Sequence, residues 1–333
     1  MSSDVLRMGV DEAGLGPTLG PLGIASFATR GPADLRMALV GAVGELGAEA
    51  PMLEVGDSKK LFSGSRKLAR LERTVLATWM WVHGSETLPS TARAFLDSVR
   101  GPETPPTAKW RAPWYAAGRR LDDPLPMAAD PDQILETAAL LSRMAKAAGV
   151  EACGYRASVL TASAINAGLA REVELGGSKN TWVVQRTLTL VRAELERRLD
   201  EAGALVLCDK AGGRADYLQS LARSFPAYAA EVLDVQRARS VYRLSGLLDD
   251  RPGFEIAFAM KADDFDPRVS WASCLAKYCR ELCMHALNDW FGTQAPNLRP
   301  TAGYPEDAKR FIEEAAEVAS AADLSAPMWI RSR

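Results

Sequence analysis

The 333 residues carry a formal net charge of −2, with 47% apolar and 25% charged residues, the proportions of a soluble globular protein with one large core or an extended domain plus an accessory piece. So slight an acidic balance excludes bulk attraction to nucleic acid, and any such binding has to come from a local patch. No secretory signal pattern opens the sequence and no run approaches ~18 apolar residues, which makes a cytoplasmic location without a membrane segment the expectation.

Taken in order, the chain starts with an apolar run (Val5, Leu6, Met8, Val10) that ends in Asp11 and Glu12 and is followed by Gly14, Leu15, Gly16 and Pro17. This reads as a strand entering a glycine turn. Adjacent side chains on a strand point to opposite faces, so two neighbouring acids share a site where the pleat breaks, as these glycines allow. A phosphate-cradling loop would need Lys-Ser/Thr after the glycines, and none is present. Gly20–Arg30 predicts a second strand, hairpin-paired with the first. Residues 33–48 have helical spacing. Gly56-Asp57-Ser58-Lys59-Lys60-Leu61 leads into a charged helix, Ser63–Leu76, capped by Ser63 or Ser65, and Thr78–Val82 (TWMWV) reads as a strand.

Between about 85 and 133 prolines accumulate, and Trp110, Trp114 and Tyr115 stand among Lys109, Arg111, Arg119 and Arg120. Interleaved aromatic and basic residues suit a clamp on bases; an excursion whose tryptophans pack back onto the domain suits the pattern equally. Pro131–Gly149 predicts an amphipathic helix, Gly154–Gly168 a strand and a short helix, and Asn180–Ala202 a long helix. Ala204–Cys208 is a continuous apolar run ending in Asp209, as in a buried parallel strand with an acid at its carboxyl end. Gly212 and Gly213 break it, and Ala215–Ser224 reads as helix. Ser240–Leu247 and Phe254–Met260 predict strands joined by a turn at Asp249-Asp250. The second runs into Lys261-Ala262-Asp263-Asp264, after which Asp266 caps a helix with Pro267 at its start. A helix over 306–322 and a basic end (Arg331, Arg333) follow. Cys153, Cys208, Cys274, Cys279 and Cys283 show no paired metal spacing, and small buried thiols are expected, notably at Cys279 and Cys283, one helical turn apart. Only His83 and His285 are available to a histidine-based mechanism.

Three strand ends therefore deliver acids: Asp11 with Glu12, Asp209, and Asp263 or Asp264. Clustered carboxylates without histidine suit hard divalent cations. Two such ions ~3.5–4 Å apart activate water and stabilise a leaving oxygen in phosphodiester cleavage.

Specific motifs add to this. DEAGLGPTLGP at 11–21 resembles the opening motif of the type 2 ribonuclease H (ribonuclease HII) family, DSKKL at 57–61 its next motif, and KAD with SWASCLAK at 261–277 its last catalytic stretch. Asn180 to Leu190 is similar to the family's long helix before its third acid, and GYP at 303–305 to its tyrosine motif. The pieces span roughly two thirds of the chain.

The resemblance implies an α/β fold, a ribonuclease H-like mixed β-sheet flanked by helices, with a helical C-terminal part and an inserted Pro-rich segment. The expected division is a catalytic domain over 1–277, carrying the insertion at about 85–133, and a helical extension over 278–333. Metal-binding acids carry over to Asp11, Glu12, Asp209 and Asp263, holding Mg²⁺ or Mn²⁺ in a two-metal site. The implied activity is cleavage of the RNA strand of RNA–DNA hybrids, or at ribonucleotides embedded in duplex DNA, on their 5′ side, giving 3′-hydroxyl and 5′-phosphate ends. Gly14, Leu15 and Gly16 would lie at the ribose 2′-hydroxyl, Lys59, Lys60 and Lys277 on the duplex, and Tyr304 on a neighbouring sugar, in a monomeric enzyme. Leu15 stands where family members usually carry Arg, the stretch from Asp209 to Lys261 is long, and the Pro-rich insertion has no counterpart, so a divergent member is expected. The alternatives are a nuclease of this fold with changed specificity, for branched or structured DNA, and a non-catalytic nucleic-acid-binding protein; retention of all four acids counts against the latter.

Overall fold

A computed structural model describes residues 5–332 except 46, 57, 65–66, 211–215 and 249–250. Its centre is a mixed sheet of seven strands: β1 (Leu6–Ala13), β2 (Leu22–Arg30), β3 (Glu151–Leu160), β4 (Ala204–Asp209), β5 (Tyr228–Val235), β6 (Arg239–Gly246) and β7 (Phe254–Ala259), in the order β3-β2-β1-β4-β7-β6-β5. β1, β4 and β7 run parallel; the other neighbours pair antiparallel. β1 is buried on both faces as far as Asp11, which is why it reads as a near-continuous apolar run and not an alternating one.

Helices cover both faces. Those used below are α1 (Lys67–His83), α2 (Pro131–Ala147), α3 (Ala162–Glu174), α4 (Lys179–Arg198), α5 (Pro267–Gln294) and α6 (Pro305–Glu314). On one face, Phe27 and Tyr155 of the sheet pack with α5, α1 and α2. On the other, Leu6, Met8 and Val10 meet Val184, Leu188 and Val191 of α4. α5 lies almost directly on the strands: a Cβ at Gly9 would come within 2.3 Å of the backbone of Arg268 and Val269. Only glycine permits that approach, and it brings the α5 side chains Ser273, Lys277 and Arg280 beside the end of β1. The boundary expected between 277 and 278 falls inside this continuous helix.

The mixed sheet, its helical flanks and a helical C-terminal part are as the resemblance implies. The β1–β2 hairpin, the helix at 131–147, the strand-helix pair at 151–174, α4, and β4 with Asp209 at its carboxyl end are as the residue patterns predict. Several local expectations are corrected. Thr78–Val82 is not a strand but the last turns of α1, whose stripe of Leu71, Val75 and Thr78 continues with helical spacing; a five-residue apolar run does not separate strand from buried helix. Among the described residues of 33–48 only Leu35–Ala38 is helical, and Gly41, at φ +89°, turns the chain away. Among the described residues the Ser63 hydroxyl donates to the Lys60 carbonyl, back toward the preceding short helix. The expected 306–322 helix is interrupted at Ala315 between α6 and Ala316–Ala321. β5 was missed: it is an edge strand with exposed Val232, Leu233 and Val235 and lacks clean alternation. Helix 218–224 starts later than expected. Ser65, Asp57, Gly212, Gly213, Asp249, Asp250 and Arg333 lie outside the described residues.

Within the Pro-rich segment the packing alternative holds. Trp114 is 2% exposed against Trp290 and Phe291, and Trp110, also buried, donates its indole N–H to the Pro105 carbonyl. Neither indole face is open to stack on a base, and the clamp reading of these two residues is withdrawn.

Candidate active site

Parallel pairing places three strand ends side by side. Val10 of β1 is level with Cys208 of β4, and Asp209 is level with Ala259 of β7. Beyond Ala259 the chain turns through Lys261, held at φ 54°, ψ 44°, into a single 3₁₀ turn, Ala262–Asp264. Asp11, Glu12, Asp209, Asp263 and Asp264 thereby line one cleft of about 450 Å³. The pleat does not break where the sequence suggested: β1 stays paired with β2 through Ala13. Pairing with β4 does end at Val10, so both acids stand clear of that neighbour.

Burial and mutual repulsion dominate the electrostatics. Asp11 is held well above the ordinary carboxyl range, by burial first and then by the charges of Glu12 and Asp209; hydrogen bonds from Ser273 and the Glu12 N–H (2.7 Å) oppose the rise. Burial and the charge of Asp209 push Glu12 up to about 7, against the attraction of Lys59. Asp209 is raised by burial and partly relieved by the N–H of Ala262, which donates to its Oδ1 at 2.8 Å. Asp263 adds to the field on Glu12, and Asp264 to that on Asp209.

An all-oxygen donor set with surplus negative charge fits a hard divalent cation in chemistry and in sign. The geometry is more open: among the described residues no three His, Cys, Asp or Glu side chains stand close enough to hold one ion between them. Asp11 and Asp209 instead turn an oxygen each onto backbone N–H groups.

The other residues singled out from the sequence also meet at this cleft. Gly14, at φ +91°, Leu15 and Gly16 form one rim, and exposed Tyr304 stands on the same cleft with the Arg280 guanidinium 6.0 Å from its ring centre. Lys59 and Lys60 lie in the short helix Ser58–Leu61, Lys60 being 4.0 Å from Asp264. Lys277 is mostly buried, paired with Glu281 at 2.8 Å and 4.5 Å above the Phe62 ring.

Four residues of this neighbourhood were not picked out. Ser273 donates to the Asp11 carboxyl and shares a 2.8 Å hydroxyl contact with Ser58, tying α5 to the Ser58–Leu61 helix; both serines sit inside the quoted motifs, which was the available signal. Arg280 follows Lys277 within the apolar stripe of α5, where an arginine 2% exposed is itself a departure. Arg331 lies 317 residues from Gly14, yet donates to its carbonyl at 2.5 Å, and no local pattern announces that contact.

Fold and site together define a mixed α/β protein with an acidic cleft at the carboxyl ends of parallel strands. No protein-family model matches the chain, and no curated protein does. Solved structures do. It is similar to the ribonuclease HII of Archaeoglobus fulgidus in its complex with PCNA, at 14% identity over 99% of this chain and 95% of that one, TM-score 0.41. Ribonuclease H2 of Pyrococcus horikoshii OT3 matches at 14% identity over 98% and 92%, TM-score 0.45. Bst-RNase HIII in complex with Mn²⁺ matches at 13% identity over 99% and 67%, TM-score 0.44.

Proposed function

We propose that this protein is a divergent type 2 ribonuclease H: a metal-dependent endonuclease that cuts the RNA strand of RNA–DNA hybrids, or at ribonucleotides embedded in duplex DNA, leaving 3′-hydroxyl and 5′-phosphate ends. The observation that carries the reading is the convergence, from three strand ends, of Asp11, Glu12, Asp209 and Asp263 on one cleft whose rim is the Gly14–Gly16 turn.

In this reading Asp11, Glu12, Asp209 and Asp263 hold Mg²⁺ or Mn²⁺, which supplies activation of water and neutralisation of developing charge at phosphorus. The chain's own residues do the rest. Ser273 and the Glu12 N–H keep Asp11 oriented, and the Ala262 N–H does the same for Asp209. Lys59 stabilises the ionised forms of Glu12 and Asp209 and stands, with Lys60, at the mouth where duplex phosphates approach. Gly14, Leu15 and Gly16 meet the ribose 2′-hydroxyl through backbone groups, which distinguishes RNA from DNA at that site. Tyr304 packs on a neighbouring sugar, and Lys277, held beside the cleft by Glu281, faces the duplex. The proposed metal-binding acids all lie within 1–277, and the helical C-terminal part, continuous with it through α5, adds Tyr304 to the same cleft.

Incubating the protein with matched duplexes containing zero, one or several ribonucleotides, in Mg²⁺ or Mn²⁺, tests this. The expected outcome is cleavage confined to the ribonucleotide-bearing duplexes. Equal cutting of the all-DNA duplex would move the assignment to a nuclease of changed specificity, and no cutting in either metal would leave a binding protein.

A further inference from the structure

The segment 326–332 crosses beneath the Gly14–Gly16 turn and is fastened there. Ile330 bridges Leu19, the Arg331 N–H donates to the Thr18 carbonyl at 2.9 Å, and Asn166 of α3 holds the Ile330 carbonyl at 2.8 Å and receives the Ser332 N–H at 2.7 Å. Arg331 itself is 3% exposed and points its fork at the turn: Nη1 meets the Gly14 carbonyl at 2.5 Å and Nη2 the Leu15 carbonyl at 3.3 Å. Burial is expensive for this cation. Among the described residues neither its Nε nor that of Arg280 has a hydrogen-bond partner, and burial with the nearby charge of Arg280 brings Arg331 down to about 10. It therefore remains charged at neutral pH. A hydrocarbon could fill the same space without that cost, so the guanidinium is retained for what it holds.

Across a trans peptide the C=O and the next N–H point in opposite directions. With the Gly14 and Leu15 carbonyls drawn back onto Arg331, the N–H groups of Leu15 and Gly16 are aimed away from it. We infer that Arg331 is a positioning residue that presents the Leu15 and Gly16 N–H groups to the substrate's ribose oxygen, so that discrimination between RNA and DNA depends on a side chain more than 300 residues away in sequence. This rests on the functional reading above.

The test uses full-length protein carrying Asp263→Asn, which silences cleavage, and measures Kd for a duplex with one ribonucleotide and for its all-DNA counterpart in Mg²⁺, with thermal melting as the check on folding. The parent is expected to prefer the ribonucleotide duplex. Arg331→Ala should cut that preference roughly tenfold, the worth of one or two oriented hydrogen bonds, while all-DNA affinity stays within about twofold. Arg331→Lys, which can hold one carbonyl but not both, should fall between; if Arg331→Ala does not fold, this variant alone decides. An unchanged ratio in the folded variants, or equal weakening on both duplexes, overturns the inference. A parent without any preference overturns the functional reading and this inference together.

Discussion

The acidic cleft and the Pro-rich segment 85–133 are the two places where the sequence concentrates chemically conspicuous residues, and the fold treats them in opposite ways. In the segment, Arg93–Asp122, Arg120–Asp123 and Glu103–Arg186 close opposite charges into pairs. Arg93 grips Asp122 and donates to the carbonyls of Tyr115 and Ala116, and the Asp122 carboxyl is held below its ordinary range chiefly by that hydrogen bond. Trp114 is buried against Trp290 and Phe291 of α5, and Trp110 against Tyr115. In the cleft, like charges are left together and the carboxyls rise. In the scaffold the opposite charges are closed on each other, whereas a set of carboxyls raised by burial and by one another marks a candidate functional site.

The widest gap between the two regions should appear in catalysis. Asp263→Asn is expected to lower ribonucleotide-dependent cleavage by roughly 10³-fold or more, about 4 kcal/mol of transition-state stabilisation, with duplex binding largely retained in a filter or anisotropy assay. Full activity would shift the role to Asp264, which lines the same cleft.

Stability should break the other way. Trp114→Ala removes a buried indole and should cost about 3–5 kcal/mol in denaturant unfolding, while the folded fraction binds and cuts normally. A selective loss of duplex affinity at unchanged stability would restore the clamp.

The pH dependence sharpens the contrast. Glu12, ordinarily near 4.5, titrates at about 7 in the folded protein, so the folded state holds its proton longer than the unfolded chain and stability falls as pH rises from about 4.5 through about 7. In metal-free protein Glu12→Gln removes that loss: it should be more stable than the parent by up to about 3 kcal/mol near pH 8 and indistinguishable near pH 4. Chemical unfolding at the two pH values checks this, and a Gln variant less stable at pH 8 would contradict it. Asp122, lowered by Arg93, behaves inversely, its contribution fading as the solution is acidified.

The smallest expected change is at Leu15. Arginine there adds a cation at the cleft rim, so Leu15→Arg should tighten ribonucleotide-bearing and all-DNA duplexes alike by a few-fold, with a steeper salt dependence. A newly created ribonucleotide preference would show that the side chain, and not the backbone, reads the sugar.

What could be read from the sequence followed the range of the interactions. The acids at 11, 12, 209 and 263 were legible because each follows a local strand pattern, and Asp11, Glu12 and Asp263 also sit in quoted motifs. Their gathering depends on the β1-β4-β7 order, which no local pattern encodes. TWMWV misled because strand and buried helix look alike over five residues, and β5 was lost because an exposed edge has no apolar face to alternate. Arg331 and Arg280 were invisible as site residues: each acts through carbonyls distant in sequence, and their buried charge only becomes anomalous once the packing is known.

Metal-dependent stability tests the central claim most directly. Thermal unfolding at about pH 7.5 should shift upward as Mg²⁺ or Mn²⁺ is titrated into the wild type, following RT ln(1 + [L]/Kd) and approaching about 2.7 kcal/mol at a hundredfold excess over Kd. The double variant Asp11→Asn with Glu12→Gln should start from a higher metal-free midpoint and respond to neither ion. A wild-type protein indifferent to both metals, or a double variant that responds as the wild type does, would contradict the assignment of this cleft.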